Sequence, residues 1–271
     1  MKFSGTVTLQ YETPFSPFRA DEYEEALDWL VVSGFDGAEV CISNYVGLDI
    51  GKIRADLERR KLGCSTISTG QARTIEDISL LHTNEGLVKA QERMKQHIDA
   101  ATILNCKVTL GLLRGIGRPG MLEEDKKNLA KNMEKMIDYA EQKNVIIMLE
   151  AINRYETSLL NTAESTLNFI KKDLGNPKHM GVLWDIFHAN IEDGQFGEAI
   201  DCLGGRLKHV HMADSNRYFP GYGRLDFNEI VCKLKSSGFA EYMSFECLNL
   251  PSLELVKKEA GPFIAKMRML L

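Results

Sequence analysis

The sequence predicts an α/β fold, a single (β/α)8 or TIM barrel that forms one domain over residues 1–271. Its length of 271 residues is close to the roughly 250 residues at which one such barrel closes. Eight apolar runs of strand length recur along the chain, and each precedes a segment with helical periodicity. No Pro/Ser-rich or low-complexity stretch divides the chain. The alternative is an open doubly wound sheet, but the chain lacks the Walker A loop common in that fold.

The expected strands are nearly continuous apolar runs, such as VIIML, which is typical of parallel strands covered by helices. In chain order they are Lys2–Thr8, Gly37–Ile42, Cys64–Thr69, Lys107–Leu112, Val145–Glu150, Met180–Asp185, Leu207–Met212 and Tyr242–Cys247.

The segments between these strands show apolar residues at helical spacing. One stripe predicts a helix over Glu85–Leu104, and a second follows the acidic stretch Glu123-Glu124-Asp125, which suits a helix N-terminus. Asp226 and Glu229 have the spacing of a capping box at the start of a later helix. The members of the two stripes are Leu87, Ala90, Met94, Ile98 and Ala101, then Leu129, Met133, Met136, Ile137 and Ala140.

The composition of the chain indicates which kinds of partner and which cellular compartment to expect. Hydrophobic residues make up 44% and charged residues 26% of the chain, and the net charge is −5. This negative charge argues against binding to nucleic acid or to an anionic membrane. We find no export signal and no apolar run of membrane-spanning length. The six cysteines lack CxxC or zinc-site spacing, so we expect free thiols in a reducing cytoplasm.

Four chemically active residues stand at the ends of consecutive strands. They are Glu150, Asp185, His211 and Glu246, and the active site of such a barrel lies where its strands end. Side-chain alternation allows all four to face the barrel axis. Three carboxylates and an imidazole at one mouth would repel one another without a cation. Their oxygen-rich set suits Mn²⁺, Mg²⁺ or Co²⁺, and Zn²⁺ less well. For any single acid, the alternative is a solvated or loop-capping carboxylate.

The segments around these residues resemble a known family. The runs LEAINRYETSLLNTAE, WDIFHANIED, HMADSNRYFPGYGR and SFEC are similar to the ketose 3-epimerase branch of the xylose isomerase-like barrels. The resemblance implies one divalent metal ion, with Mn²⁺ expected, held by Glu150, Asp185, His211 and Glu246. It also implies that Glu150 and Glu246 are the catalytic acid/base pair. Glu156, His188 and Arg217 would contact the substrate, and the protein would form homodimers or homotetramers.

Other segments bear on the substrate. STGQA, GLLRG and SNRYFPGYG are similar to epimerases of keto-sugar acids of the 5-keto-L-gluconate type. We therefore expect a keto-sugar acid (5-keto-L-gluconate, tagaturonate or fructuronate type), with a neutral ketohexose of the D-tagatose or D-psicose type as the alternative. Gln71 and Arg114 are the candidates for binding a carboxylate, and Arg118 is a weaker one. Ala213-Asp214 replaces the Gly-Glu pair usual in neutral-ketose epimerases, which leaves the substrate open.

Two further residues are candidates for support. His209 shares the strand face of His211, so it either supports that ligand or is a core histidine. Glu39, near the end of the second strand, is a candidate for the same support or for substrate contact.

Three other functions remain as alternatives. A lyase of the inosose dehydratase type would share the fold and metal but expel water. A non-catalytic sugar-binding protein would not need two opposed carboxylates. A nuclease of the endonuclease IV type would need more metal ligands and a basic face, and the chain has only six histidines.

Overall fold

The computed structural model describes residues 1–271 and contains a closed barrel of eight parallel strands. Each strand pairs with the next one along the chain, and the last pairs with the first. The predicted (β/α)8 fold is confirmed, and every strand lies within two residues of its expected bounds. The strands are β1 (Lys2–Thr8), β2 (Gly37–Cys41), β3 (Gly63–Ser68), β4 (Lys107–Leu110), β5 (Ile147–Ala151), β6 (Met180–Asp185), β7 (Leu207–Met212) and β8 (Tyr242–Phe245).

Ten α-helices lie between and after the strands. The longest are the two that the sequence indicated most clearly, and the first of them has the expected bounds. The helices are α1 (Tyr23–Val32), α2 (Ile50–Arg59), α3 (Gly70–Glu76), α4 (Glu85–Leu104), α5 (Leu122–Gln142), α6 (Ala163–Asn168), α7 (Ile186–Glu192), α8 (Phe196–Leu203), α9 (Phe227–Ser236) and α10 (Leu253–Arg268). No helix combines the length and the apolar composition that crossing a membrane requires.

Side-chain caps set where several helices begin. The Asp226 carboxylate accepts hydrogen bonds from the backbone N–H groups of Asn228 and Glu229, which starts α9 at the position that the sequence predicts. Asn84 caps α4 in a similar way. These bonds satisfy donors that the first turn of a helix leaves unpaired.

The outer layer of the core is apolar, while the barrel axis is polar. The apolar stripe of α5 is buried against the barrel. Inside the barrel, the hydroxyls of Ser4 and Ser244 lie 2.6 Å apart and those of Thr66 and Thr109 lie 2.9 Å apart. A buried hydroxyl is tolerated only when it is hydrogen-bonded, and these pairs meet that condition. The polar axis leads directly to the mouth where the strands end.

Strand register places Asp185 and His211 side by side, and Glu150 and Glu246 stand at the same ends of the adjoining strands. Asp185 of β6 is the register partner of His211 of β7, and His211 is in turn the partner of Ser244 of β8. Glu246 follows two residues after Ser244, immediately beyond the end of β8. The four strand-end residues therefore meet at one end of the barrel.

All six cysteines are free thiols, as the sequence predicts. Cys41, Cys64 and Cys247 are buried.

The buried histidine of α4 predicts a pH dependence of stability. His97 is fully buried, and its Nδ1 lies 2.8 Å from the Tyr45 hydroxyl. Burial lowers the pKa of His97 from 6.5 to about 3, and the positive charge of Arg93 contributes. Below pH 6.5, His97 therefore becomes protonated in the unfolded chain but stays neutral in the folded protein. As the pH falls towards 3, this site loses up to about 1.4 kcal/mol of stability per pH unit.

Urea unfolding of the wild type and His97→Asn between pH 7 and pH 4 measures this effect. We expect the wild type to lose stability more steeply than the variant on acidification. A constant difference between the two proteins over this range would contradict the expectation.

Candidate metal centre and active site

The four strand-end residues converge on a single point at the mouth of the barrel. The Nδ1 atom of His211 lies 3.5 Å from Glu150 Oε1, 3.6 Å from Asp185 Oδ2 and 3.3 Å from Glu246 Oε2. One ligand atom from each residue lies within 4.8 Å of the other three. Glu150, Asp185 and His211 are buried, and Glu246 is nearly so. The structure thus brings together the four residues expected from the sequence.

Local structure orients two of these side chains. Asp185 ends β6 and caps α7, because its Oδ1 accepts the backbone N–H of His188 at 3.0 Å. This bond leaves the Oδ2 atom directed at the cluster. Glu246 is anchored to the neighbouring strand, since its N–H donates to the carbonyl of Met212 at 3.2 Å.

The donor set fits a divalent cation. Asp185 Oδ2 and His211 Nδ1 are buried and have no hydrogen-bond partner, and such orphaned polar atoms are costly unless something binds them. The other ring nitrogen of His211, Nε2, lies 3.2 Å from each oxygen of Glu39. A carboxylate in this position favours the proton on Nε2 and leaves the Nδ1 lone pair for a metal.

Electrostatics at the cluster reflect the crowding of negative charge. Burial raises the pKa of Glu150, and the charge of Glu246 adds to this although His211 opposes it. Burial alone would lower the pKa of His211, but Glu39 and Glu246 raise it well above its ordinary value. Burial would raise the pKa of Asp185, but the neighbouring rings of His188 and His211 and the charge of Arg217 lower it. The carboxylates therefore favour positive charge at this point.

Glu39 and His209 lie behind the cluster rather than in the cavity. Glu39 Oε2 lies 3.2 Å from Nε2 of both His209 and His211, and His209 Nε2 also lies 2.8 Å from the Ser244 hydroxyl. Glu39, His209 and His211 also form a second close group of ligand atoms. Because both imidazoles face the same carboxylate, hydrogen bonds account for this group. The geometry favours the supporting role for Glu39 over the alternative of substrate contact.

An open cavity of about 240 Å³ lies above the cluster. Its walls include Glu150 and Glu246 together with four of the five residues expected to contact a substrate, namely Gln71, Glu156, His188 and Arg217. Arg114 does not line it.

Arg217 is held from four sides. Its guanidinium lies over the rings of Phe15 and Phe187, with centroid distances of 4.6 and 4.9 Å. It donates to Glu156 Oε1 at 2.9 Å and to Glu246 Oε2 at 3.4 Å. Its backbone has a φ of 63°, and non-glycine residues in this region are concentrated at functional sites.

The carboxylate of Asp214 folds the loop that carries Arg217. Asp214 is fully buried and accepts backbone N–H groups from Ser215, Gly221 and Leu225. A Cβ on Gly223 would stand 2.0 Å from an Asp214 oxygen, so glycine is required there. Asp214 does not line the cavity. Asp214, which stands where neutral-ketose epimerases usually have Glu, therefore shapes the loop and does not contact the substrate.

His188 faces the cavity and contacts a residue that the sequence did not single out. The Nδ1 atom of His188 lies 2.7 Å from the amide nitrogen of Asn153, a buried residue of the β5–α6 loop. Asn153 stands in the run NRYET, but no periodicity or strand-end rule distinguishes it from the other polar residues there.

The predicted substrate contact of Arg114 is corrected by the structure. Its guanidinium is fully buried and donates to the main-chain carbonyls of Glu150 and Leu159, the latter at 2.9 Å. Arg118 pairs with Glu124 and Asp125 instead of facing the cavity. Both guanidiniums are therefore occupied by the protein itself.

Gln71 does line the cavity, but its amide hydrogens are already used. Its Nε2 donates to the carbonyl of Tyr11 at 2.7 Å and to the hydroxyl of Thr8 at 3.4 Å. No N–H of this side chain remains for binding a carboxylate.

The run GLLRG instead positions Glu150. A Cβ on Gly111 would lie 2.6 Å from Glu150 Oε2, so the glycine leaves room for that carboxylate. Arg114, three residues later, holds the carbonyl of the same glutamate. Both ends of the motif thus act on one residue of the cluster.

Replacing Arg114 should cost stability. In Arg114→Met the carbonyls of Glu150 and Leu159 lose their buried donor, and an unsatisfied buried polar group costs about 1–3 kcal/mol. We therefore expect the free energy of unfolding to fall by about 2–5 kcal/mol in urea titrations. Arg54→Met, which removes a surface ion pair with Glu58 and an exposed hydrogen bond to the carbonyl of Ile103, is the control and should cost less than about 1 kcal/mol. Equal stability of the two variants would refute the buried structural role.

Comparison with known proteins identifies relatives with this architecture. The chain is 31% identical over 129 residues to 3-dehydro-D-guloside 4-epimerase of Escherichia coli, covering 47% of this chain and 48% of that protein. It is 36% identical over 115 residues to D-psicose 3-epimerase of Enterocloster bolteae, covering 42% and 38% respectively. The aligned segments thus span less than half of these two relatives.

Agreement in three dimensions extends over the whole chain. A solved structure of L-ribulose 3-epimerase superimposes with a TM-score of 0.85 at 26% identity, covering 99% of this chain and 95% of that one. The family model described as xylose isomerase-like TIM barrel matches residues 27–267. With its closed barrel and strand-end cluster, the chain belongs to the xylose isomerase-like TIM barrel family.

Proposed function

We propose that this protein is a metal-dependent epimerase of a free keto sugar. It removes a proton from the carbon beside the ketone and returns one to the opposite face. The observation that carries this proposal is the convergence of Glu150, Asp185, His211 and Glu246 on one point beneath an open cavity. The two sequence relatives described above are sugar epimerases by name, which supports the same reaction class.

The four converging residues would hold one divalent ion. Their three carboxylates and one imidazole suit Mn²⁺, with Mg²⁺, Co²⁺ and Zn²⁺ as alternatives. When bound, the ion supplies a positive charge that stabilises the oxygen anion formed as the sugar loses its proton.

Glu150 and Glu246 are proposed as the acid/base pair. They reach the cavity from β5 and from the end of β8, so they approach a bound sugar from different directions. One carboxylate takes the proton from one face of the carbon, and the other delivers a proton to the opposite face. A positioned acid or base typically contributes about 10²–10⁴ in rate.

Three cavity residues orient the sugar in this proposal. Glu156 accepts a hydrogen bond from a hydroxyl, and His188 donates one to the reacting oxygen. Arg217 adds a fixed positive charge near that oxygen. Contact with the rings of Phe15 and Phe187 helps to keep its guanidinium in place.

The lining of the cavity favours a neutral ketose. Arg217 is the only Arg or Lys in the wall, and two carboxylates already occupy it. The wall also contains Glu12 besides Glu150, Glu156 and Glu246, and Asp185 lies in the cluster beneath it. These five carboxylates outnumber the charges of a divalent ion and Arg217, so a carboxylate on the substrate would meet net repulsion. A keto-sugar acid is the second candidate, because STGQA and GLLRG resemble epimerases of such acids.

Incubation with sugars in D₂O tests the reaction and the substrate together. The Mn²⁺-loaded protein would be offered neutral ketoses (D-tagatose, D-psicose, L-ribulose) and keto acids (5-keto-L-gluconate, tagaturonate, fructuronate). We expect an epimer that carries deuterium at the inverted carbon, formed faster from a neutral ketose, with NMR as the readout. Loss of water would instead identify a lyase. Binding without deuterium exchange would identify a sugar-binding protein, and either result overturns the proposal.

Matched variants test the acid/base pair in the same assay. Glu246→Gln and Glu150→Gln should lower turnover by at least about 100-fold. Glu241→Gln, which removes a partly exposed acid paired with Lys107, should not. Near-normal turnover of either cavity variant with metal still bound would contradict the assignment.

Glu39 should control metal affinity without touching the substrate. In Glu39→Gln the neutral amide orients the His211 ring less strongly, and loss of such a partner typically weakens metal binding about 10–100-fold. Isothermal titration of Mn²⁺ into the metal-free wild type and variant measures this change. Glu241→Gln again serves as the control. An unchanged Kd in Glu39→Gln would show that the carboxylate behind His211 does not support a ligand.

A further inference from the structure

Two contacts fix the orientation of the Asn153 side chain. Its Oδ1 accepts the backbone N–H of Tyr155 at 2.9 Å, and its Nδ2 donates to Glu156 Oε1 at 3.2 Å. If the amide were flipped, its NH₂ group would face the backbone N–H of Tyr155, and its oxygen would face the carboxylate of Glu156. Neither pair can form a hydrogen bond. The amide nitrogen is therefore the atom that faces His188.

This orientation determines which nitrogen of His188 carries the proton. Asn153 Nδ2 lies 2.7 Å from His188 Nδ1, and an amide N–H can only donate. The Nδ1 atom must therefore present a lone pair, so a neutral ring carries its proton on Nε2.

The proton on Nε2 lies at the metal-binding end of the cavity. Nε2 is 3.9 Å from Glu150 Oε1 and 4.0 Å from Asp185 Oδ2. The ring cannot swing away freely, because His188 is almost fully buried and its backbone N–H is bound to Asp185. An N–H donor is thus held beside the place where the reacting part of a sugar would lie.

We propose that Asn153 is a positioning residue that keeps the Nε2–H group of His188 directed at the substrate. This inference rests on the proposed function and deepens it. The sugar atom that faces His188 must be an acceptor oxygen, and the ketone oxygen, which gains negative charge when the proton leaves, is the group that fits. Because Nε2 has no lone pair to offer, His188 is not the base, and proton transfer is left to Glu150 and Glu246.

Removing the amide should reverse the tautomer. Glu156 Oε1 lies 4.0 Å from His188 Nδ1. When Asn153 is replaced by alanine, this carboxylate is the acceptor available to an N–H group at Nδ1. A carboxylate there draws the proton onto Nδ1, and Nε2 then presents a lone pair to the substrate oxygen. Loss of a donor to a developing oxyanion typically lowers kcat by about 10²–10³. We expect such a fall for Asn153→Ala, with a much smaller change in KM.

NMR of ¹⁵N-histidine-labelled protein reads the tautomer directly. The Mg²⁺-loaded protein avoids paramagnetic broadening, and His188→Gln identifies the His188 signals by their loss. We expect an unprotonated Nδ1 and a protonated Nε2 in the wild type, and the reverse in Asn153→Ala. A protonated Nδ1 in the wild type would overturn the inference, even if the variant fails to fold.

Asn161→Ala is the matched control. Asn161 lies in the same loop and donates to the carbonyls of Ile152 and Thr157, both at 2.8 Å, without touching His188. It should keep the wild-type tautomer and a kcat close to wild type. An Asn153→Ala protein with a reversed tautomer and unchanged kcat would overturn the positioning role. Absence of turnover with every sugar would overturn the proposed function instead, since the wild-type tautomer is measured without substrate.

Discussion

The crowding of carboxylates around two imidazoles at the top of the barrel is the constraint on which the rest of the site depends. Glu39, Glu150, Asp185 and Glu246 surround His211, and every one of their contacts with it is 3.6 Å or shorter. Charges so close together in a buried place demand compensation. His211 joins the two halves of this arrangement, because one ring nitrogen faces Glu39 and the other faces Glu150, Asp185 and Glu246.

Support for the cluster comes from both below and beside it. Below, hydrogen bonds link the hydroxyls of Ser4 and Ser244 to His209, and through Glu39 to His211. Beside it, the β4–α5 segment holds Glu150 by its carbonyl and leaves space for its carboxylate. Preorganisation of this kind means that little rearrangement is needed when charge develops on a substrate.

The barrel and its strand-end residues are easier to predict from the sequence than the contacts made by the loops. Parallel strands buried on both faces give apolar runs that are easily recognised, and their ends mark the mouth, so Glu150, Asp185, His211 and Glu246 could be found. The prediction that Arg114 contacts the substrate is wrong, because a position at the mouth of the barrel does not determine the direction in which a long side chain points. Asn153 could not be singled out, because it acts on His188 of α7, which is 35 residues away along the chain, and no periodicity links the two positions.

The missing side chain at Gly111 has a consequence for any attempt to redesign this cavity. Even a methyl group there would collide with the Glu150 carboxylate, so the position is closed to libraries intended to reshape the pocket. Leu112 and Ile152 also border the cavity, and neither is among the four converging residues. Variation for new sugars is therefore better directed at this apolar border, which can change shape while the acidic floor stays intact.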